Sequence, residues 1–563
     1  MLLIFCLVVG VLIALGGIRP LVGDRWFRAV EGYASGWAKR KSLVVLGVGM
    51  LAVLSRLAIL PVQPVPLPVI HDEFSNLLAA DTFAHGRLAN PPHPMWIFFD
   101  TFHVLQHPNY VSKYPPAEGL VLALGQRLGM PWLGTLLALG LMSMAMTWML
   151  QGWLPPQWAM LGGIVVVWRL CLFNIWFDGY FGGAVAALGA ALVFGAYPRV
   201  ITFSRARYAL WLGVGIVILA LSRPLEGLLF CIPVALWLAF QTYARVRNGE
   251  DPVVFRTLVF PCGGVVCAGV LWLGYYNWRT SGSPFLLAYS LYHREYFAYP
   301  FFAWQAMPPP LHYLNPQFEA FFNRWHRMIF RLNRELWRIR AVMSLDVWYQ
   351  VYLGPILAIP VLALTRILQD RRMRLPLTEI LFCGIGLLSI VWFQPHYAAP
   401  MAAALFVVVM QSMRHLRRFT CLGRPFGVYL TRLMVILAAC WTFALVWHWS
   451  RNPSTPWSKA RVQIADRLRS LPGKQLVIVS YTPNHNPHQE WVYNAADIDS
   501  AKIVWARAIP GVDLNPLLNY FANRKVWILY ADETPSRLTE YPVPNRPEGP
   551  QTAPPGQPPG EPH

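Results

Sequence analysis

Long runs of apolar residues decide what this chain can fold into. A helix needs about 20 such residues to cross the hydrocarbon core of a bilayer. Runs of roughly that length lie near residues 2–18, 42–60, 157–174, 180–198, 207–222, 225–243, 256–276, 347–366, 376–392, 398–413 and 429–449. They predict an all-α polytopic membrane protein of about 12 transmembrane helices, with one further run, 117–151, completing the count.

Composition supports this class and excludes others. Charged residues make up 13% of the 563 residues and apolar residues 56%, with a mean hydropathy of +0.40. A soluble chain carries about 25% charged residues, so a globule of this composition could not cover its surface with polar groups. A soluble enzyme and a disordered chain are both excluded.

The distribution of positive charge along the chain indicates its topology in the membrane. The net charge of +20 is distributed over short clusters between apolar runs, which is the positive-inside pattern and not the single patch of a nucleic-acid binder. The run 117–151 is interrupted by Arg127 and Gly129-Met130-Pro131. If this run crosses the membrane an odd number of times, all the basic clusters lie on the cytoplasmic side. That run is one long tilted helix or a short re-entrant pair. Loops 61–116 and 277–345 and everything after 450 are then extracytoplasmic.

Four regions follow from these patterns. Residues 1–41 are an N-terminal membrane anchor and a basic cytoplasmic loop, and residues 42–450 are a multi-span membrane domain. Alternating helical and strand patterns over 451–540 predict a small α/β extracytoplasmic domain, with helices at 458–470 and 513–524. Residues 541–563 form a Pro-rich disordered tail.

An amphipathic helix is predicted inside loop 277–345. Apolar residues recur at spacings of three and four from Phe318 to Ile339, while arginines from Arg324 to Arg338 follow another face. Such a helix lies in the membrane interface, either covering the span ends or offering its arginines to a phosphate.

Chemistry-bearing residues gather on the predicted outer side. Asp72 and Glu73 are adjacent carboxylates in the loop after a span, which face water or serve a site. Lys113 and Tyr114 precede a Pro-Pro pair at a helix start, which could also be ordinary helix punctuation. Asp178 lies in a glycine-rich turn, where it either serves a site or caps a helix. Arg223 with Glu226, and His396 with Tyr397, occupy two further outer turns.

Two motifs in the C-terminal domain carry less weight. Asp497-Ile498-Asp499 matches the D-x-D that holds a metal in nucleotide-sugar transferases, but nucleotide sugars are not expected outside the membrane. The Asn484–Glu490 run is a metal-binding or sugar-binding loop, or a structured loop without a catalytic role.

In order and placement, these motifs resemble the GT-C glycosyltransferases, membrane enzymes that take sugars from polyprenyl-phosphate carriers. They include the protein O-mannosyltransferases, the aminoarabinose transferases and the rhizobial galacturonosyltransferases. The resemblance covers about residues 42 to 450. It rests on the acidic pair Asp72-Glu73, the K-Y-P-P entry from Lys113, Ser222-Arg223-Pro224 at the family's S/T-K/R motif, and His396-Tyr397 at its R/H-Y-x-x-P motif.

The resemblance implies an inverting hexosyl or pentosyl transfer in the plasma membrane, to a lipid, glycan or protein acceptor. A sugar on a lipid phosphate already has a good leaving group, so one base and several cations suffice. Asp72 would be the base and Glu73 would orient it, while Lys113, Arg223 and His396 would hold the departing phosphate. Tyr114, Asp178, Glu226 and Tyr397 would bind substrate.

Three alternatives stay open at this point. The acidic pair could bind a divalent metal, although the sequence offers no dedicated ligand set. A transporter or flippase of a lipid-linked glycan would show inverted repeats and mid-membrane ionisable residues, which are not apparent here. A non-catalytic membrane scaffold would not need carboxylates and cations on one side.

Overall fold

The computed structural model describes residues 23–172, 176, 179–392, 394–451 and 456–542. In this part of the chain, seven helices are long and apolar enough to cross a membrane, and shorter apolar helices lie at Ala206–Ser222 and Ala402–Leu416. The predicted fold class, a helical membrane protein with a small C-terminal α/β region, is confirmed. The predicted anchor near 2–18 and most of the Pro-rich tail lie outside the described residues.

The helices follow one another in chain order. They are α1 Asp24–Ala38, α2 Lys41–Ala58, α3 His71–Ala84, α4 Pro116–Arg127, α5 Trp132–Trp153, α6 Pro156–Val166, α7 Gly183–Phe203, α8 Ala206–Ser222, α9 Pro224–Arg247, α10 Asp251–Val254, α11 Phe260–Ser281, α12 Ala288–Tyr296, α13 Pro316–Phe318, α14 Arg327–Glu335, α15 Trp337–Trp348, α16 Gly354–Ala358, α17 Leu364–Gln369, α18 Arg374–Leu388, α19 Ala402–Leu416, α20 Phe426–Arg451, α21 Ser458–Ser470 and α22 Asn515–Tyr520.

Irregular helical turns link several of them. π-helical turns cover Val167–Cys171, Phe255–Val259, Glu319–His326 and Tyr349–Leu353, and 3-10 turns cover Trp96–Phe98, Ile359–Ala363, Arg371–Met373 and Pro395–Ala398. The strands are β1 Val104–Leu105, β2 Val111–Ser112, β3 Lys474–Ser480, β4 Ile503–Arg507, β5 Arg524–Tyr530 and β6 Arg537–Glu540.

The helical domain has two functionally distinct ends. The Gln151 amide at the end of α5 donates to the Lys41 carbonyl at the start of α2, at 2.9 Å, so the two helices run in opposite directions. The ends near Lys41 and Gln151 share a cavity with Arg199 and Arg207, and we call this end the opposite face. The site face is the other end, where α3 begins and where α8 joins α9.

The ambiguous run 117–151 is a helical hairpin and not one long helix. The turn contains Gly129, whose φ of +83° suits glycine. Helices α4 and α5 then pack so closely that a Cβ on Gly134 would lie 2.4 Å from the Val121 carbonyl oxygen. Helix α5 has 22 residues, which is long enough to cross a membrane. A single crossing by this helix fits the predicted odd number of crossings.

The predicted continuous amphipathic helix at 318–339 is interrupted twice. The π-helical turn Glu319–His326 shifts the helical register, and helix α14 ends at Glu335 before Leu336. The shift buries Phe321, Phe322 and Phe330 and leaves Leu336 and Ile339 about half exposed, at 47% and 56%. The basic side remains mostly exposed, but Arg327 turns inward and donates to the Ala298 and Pro308 carbonyls at 2.8 and 2.6 Å.

The C-terminal domain has a four-stranded sheet in the order β4-β3-β5-β6. Strand β3 pairs in parallel with β4 and β5, and β6 adds an antiparallel edge that the sequence patterns did not indicate. The predicted helix at 458–470 is confirmed, while the one at 513–524 is shorter, Asn515–Tyr520. This domain packs on the site face, where Tyr493 stacks on Phe74 of α3 with ring centroids 4.3 Å apart.

The charge pattern yields a topology prediction. In a Cys421→Ser background, Gln305→Cys and Ser500→Cys should react with a membrane-impermeant maleimide in intact cells, because both are exposed on the predicted outer side. Asn248→Cys and Arg371→Cys, exposed in predicted inner loops, should react only after permeabilisation. The reverse labelling pattern would invert the orientation.

Candidate active site

Three cavities meet on the site face around Tyr114. The central cavity encloses about 710 Å³ and is lined by Asp72, Lys113, Tyr114 and Tyr397 among others. A lateral cavity of about 1220 Å³ is lined by Tyr114, Arg223, Glu226 and Tyr397. A small junction between them is lined by Asp72, Tyr114, Arg223 and His396. Residues that are far apart in the sequence therefore converge on one connected space.

Asp72 is the carboxylate that faces this space. It is the second residue of α3, lines the central cavity and the junction, and accepts a hydrogen bond from the Tyr114 hydroxyl. Tyr114 is fixed in turn because Pro115 and Pro116 start α4 directly after it. The carboxylate is half-buried and held by one partner, which suits a group that must exchange a proton with a bound hydroxyl.

Glu73 has a different place from Asp72. Its Oε2 accepts the Val69 and Ile70 backbone N–H groups at 2.8 and 3.3 Å, and its Oε1 accepts the Tyr180 N–H at 3.1 Å. The side chain is 1% exposed, and burial raises its pKa to about 7. Glu73 does not line any of the three cavities. These contacts position the start of α3 against the turn before α7, and the predicted role of Glu73 in orienting Asp72 stays a prediction.

Lys113 stands in a cage of aromatic rings. Its Nζ lies 5.0 to 5.2 Å from the ring centroids of Tyr114, Tyr289, Tyr292 and Phe297. Ring faces stabilise a cation, but burial lowers the pKa of the Lys113 amine to about 7. The amine therefore titrates near neutral pH and lines the central cavity.

Arg223 supplies the cation on the lateral side. It joins α8 to α9, and its guanidinium carbon lies 4.8 Å from the Tyr397 ring centroid. The nearest carboxylate oxygen is Glu226 Oε1, 3.9 Å away, which is too far for a strong hydrogen bond. Arg223 thus lines both the junction and the lateral cavity with donors to spare.

His396 lines the junction as a neutral group. It is 4% exposed, its Nδ1 has no hydrogen-bond partner among the described residues, and its ring centroid lies 5.3 Å from that of Phe181. Burial, with the nearby Arg223 charge, holds the pKa of His396 well below its usual range. The imidazole is therefore neutral and offers a hydrogen bond and not a charge, and the predicted phosphate contact of His396 stays a prediction.

Asp178 lies outside the described residues, so its predicted role stays a prediction. The other predicted residues, Lys113, Tyr114, Arg223, Glu226, His396 and Tyr397, line the three cavities.

The acidic pair does not fit a metal site. Both Glu73 oxygens accept backbone N–H groups, so the two adjacent carboxylates do not converge on one ion. Among the described residues, no group of three or more His, Cys, Asp or Glu side chains could hold a metal.

Four histidines line the central cavity; the sequence patterns singled out the 484–490 run that holds His488, but they did not indicate that the four side chains meet. His71, His103, His326 and His488 come from separate segments and line the same wall. The His71 Nε2 lies 2.6 Å from the Pro487 carbonyl oxygen, and the His71 and His488 rings stack with centroids 5.4 Å apart. Burial lowers the pKa of His71 and of His326 to about 3, so these rings are neutral.

The C-terminal domain thus reaches the site through the 484–490 loop, which the sequence singled out without its partners. The D-x-D motif is structural. Asp497 accepts the Ser500 backbone N–H at 3.1 Å, and Asp499 accepts the Tyr520 hydroxyl at 3.1 Å.

Comparisons with known proteins were made at three levels. No family model and no curated protein matches the chain. It is similar to the crystal structure of ArnT from Cupriavidus metallidurans bound to undecaprenyl phosphate, with a TM-score of 0.44 and 11% identity over 88% of this chain and 93% of that one.

It is also similar to the Archaeoglobus fulgidus oligosaccharyltransferase tethered with an acceptor peptide, with a TM-score of 0.40 and 12% identity over 86% of this chain and 69% of that one. The apo form of that enzyme is similar to this chain with a TM-score of 0.39.

The two adjacent carboxylates should respond differently to amide substitution. In Glu73→Gln, one acceptor oxygen remains for three backbone N–H donors, and the new side-chain NH₂ group faces another N–H donor. The substitution should therefore lower the free energy of unfolding by about 1–3 kcal/mol. Thermal unfolding of the detergent-solubilised protein measures this. Asp72→Asn is the matched control and should unfold near the parent temperature. Equal unfolding temperatures for Glu73→Gln and the parent would contradict the positioning role.

The pH dependence of stability gives a second readout in the same experiment. Because the pKa of Glu73 is raised from 4.5 in the unfolded chain to about 7, its contribution to stability should fall as pH rises between those values. That component should be absent in Glu73→Gln.

Proposed function

We propose that the protein is an integral membrane glycosyltransferase that moves a hexose or pentose from a polyprenyl-phosphate carrier to an acceptor on the extracytoplasmic side of the plasma membrane. The observation that carries the proposal is that Asp72 and Arg223 line one small junction. A base and a cation on either side of one reacting carbon are the minimum that this reaction needs.

The two larger cavities divide the substrates between them. The lateral cavity combines Arg223 with apolar residues such as Leu225, Leu287 and Phe302, which suits a lipid chain that carries a phosphate. The central cavity combines neutral imidazoles with aromatic faces such as Trp325, which suits the polar acceptor. The sugar would then sit at the junction, between the phosphate and the acceptor.

The transfer step follows from this arrangement. The acceptor hydroxyl oxygen attacks the anomeric carbon while its proton passes to Asp72, and the bond from that carbon to the phosphate oxygen breaks. The polyprenyl phosphate leaves with its bonding electron pair and carries one to two negative charges, which Arg223 stabilises directly and protonated Lys113, in the adjoining central cavity, stabilises at longer range. Attack from the side opposite the phosphate inverts the anomeric configuration.

Tyr114 and the neutral His396 add positioning. The Tyr114 hydroxyl donates to Asp72 Oδ1, which fixes the orientation of the carboxylate. The His396 ring, with an unpartnered Nδ1 at the junction, can donate a hydrogen bond to the sugar or the phosphate. The acceptor can be a lipid, a glycan or a protein, since the cavity walls leave each of these open.

Asp72→Asn tests the proposed base. The amide keeps the shape of the side chain and loses its basicity, so transfer should fall by about two to four orders of magnitude while donor binding stays close to that of the parent. The assay follows radiolabelled sugar from a polyprenyl-phosphate donor to product. Near-normal transfer would remove Asp72 from the mechanism. Transport of the lipid-linked sugar without any product would favour the flippase alternative.

Lys113 should give the reaction a pH dependence. Its amine is cationic below a pKa of about 7 and neutral above it, so kcat/KM should decline as pH rises through about 7. Lys113→Arg keeps the charge and should flatten that decline. His396→Gln serves as the comparison and should leave the decline in place, because His396 is already neutral across this range. A decline that disappears in His396→Gln and persists in Lys113→Arg would reverse these assignments.

A further inference from the structure

A second basic cavity lies on the opposite face of the helical domain, away from every residue of the proposed active site. It has a volume of about 1380 Å³ between the ends of α2, α5 and α7 and the start of α8. Three of its lining residues are cationic, namely Lys41, Arg199 and Arg207. None of the described residues that line it is acidic.

Arg199 forms the floor of this cavity. It is 9% exposed, its guanidinium donates to the Gly195 and Trp148 carbonyls at 2.6 and 2.7 Å, and it lies 4.1 Å from the Trp148 ring centroid. Two of its five N–H donors are used in these bonds. Gly152 leaves room for it, because a Cβ there would lie 2.6 Å from Arg199 Nη1. A guanidinium is thus held in a fixed orientation under an open cavity.

Lys41 and Arg207 form the rim, and both are exposed. The Arg207 guanidinium donates to the Tyr208 hydroxyl at 2.8 Å, which does not neutralise it. Because none of the described residues lining the cavity is a carboxylate, no described lining residue neutralises the three positive charges. Converging cations of this kind bind anions.

The apolar part of the rim identifies the kind of anion. Leu46 and Phe203 line the same cavity and are 50% and 55% exposed. Leu46 belongs to α2 and Phe203 to α7, both long enough to span a membrane, so the cavity combines its cations with exposed apolar side chains near the ends of candidate spans. A ligand that fills the cavity therefore carries a phosphate next to hydrocarbon.

We propose that this cavity binds the phosphodiester headgroup of an anionic glycerophospholipid, with Arg199 below the phosphate and Lys41 and Arg207 beside it. Basic pockets between the ends of transmembrane helices bind lipids of this class. The site does not depend on the proposed glycosyl transfer.

Native mass spectrometry of the full chain in detergent tests the proposal, with phosphatidylglycerol or cardiolipin added and phosphatidylcholine as the neutral comparison. The double variant Lys41→Gln/Arg207→Gln leaves the structural Arg199 in place and should bind the anionic lipids roughly tenfold more weakly or worse. The control variant, Arg371→Gln/Arg372→Gln, removes the same charge from another exposed basic loop and should bind them like the parent. Thermal unfolding of both variants checks that each is folded.

Three results would overturn the proposal. One is unchanged lipid binding by a folded Lys41→Gln/Arg207→Gln protein. Another is an equal loss in the control variant, which would reduce the effect to general charge attraction. The third is displacement of the lipid by millimolar inorganic phosphate, which would make the cavity a site for the free anion.

Discussion

The buried Glu73 carboxylate joins the two segments on which the site depends. Through two oxygens it accepts backbone N–H groups from the residues before α3 and from Tyr180 in the turn before α7. The first contact fixes where α3 begins and therefore where Asp72 points. The second holds the turn that leads to Phe181, which packs against His396. A buried carboxylate is costly unless such donors surround it, so this packing selects one arrangement of the two segments.

The membrane determines where this chain can place its ionisable side chains. A chain with so few charged residues must bring its ionisable side chains in at the ends of spans, and it does so at both faces. On the site face, a half-buried carboxylate, an arginine and a caged lysine border connected cavities, so opposite charges are separated by a space that substrate can occupy. On the opposite face, Lys41, Arg199 and Arg207 border a cavity without a balancing carboxylate. This contrast distinguishes the proposed reaction site from the proposed anion-binding site.

The sequence predicted more of the site than its short motifs suggest, because helix ends are easy to locate in an apolar chain. Asp72, Tyr114, Arg223 and Tyr397 each lie next to a predicted span, and parity placed them on one face. The partners of Glu73 could not be predicted because Tyr180 lies 107 positions away, and only folding shows that the Glu73 oxygens accept backbone N–H groups. The histidine wall was missed for the same reason: His71 and Pro487 are 416 positions apart. The π-helical turn in the amphipathic segment was also not predictable, since a periodic pattern assumes an uninterrupted helix.

The most direct test of the central claim is the position of the phosphate in a cryo-electron microscopy map of the full chain bound to polyprenyl phosphate. The account predicts phosphate density where the lateral cavity meets the junction, within hydrogen-bonding distance of Arg223, with the lipid chain in the lateral cavity beside Leu225. Phosphate density elsewhere, with the junction between Asp72 and Arg223 empty, would contradict it.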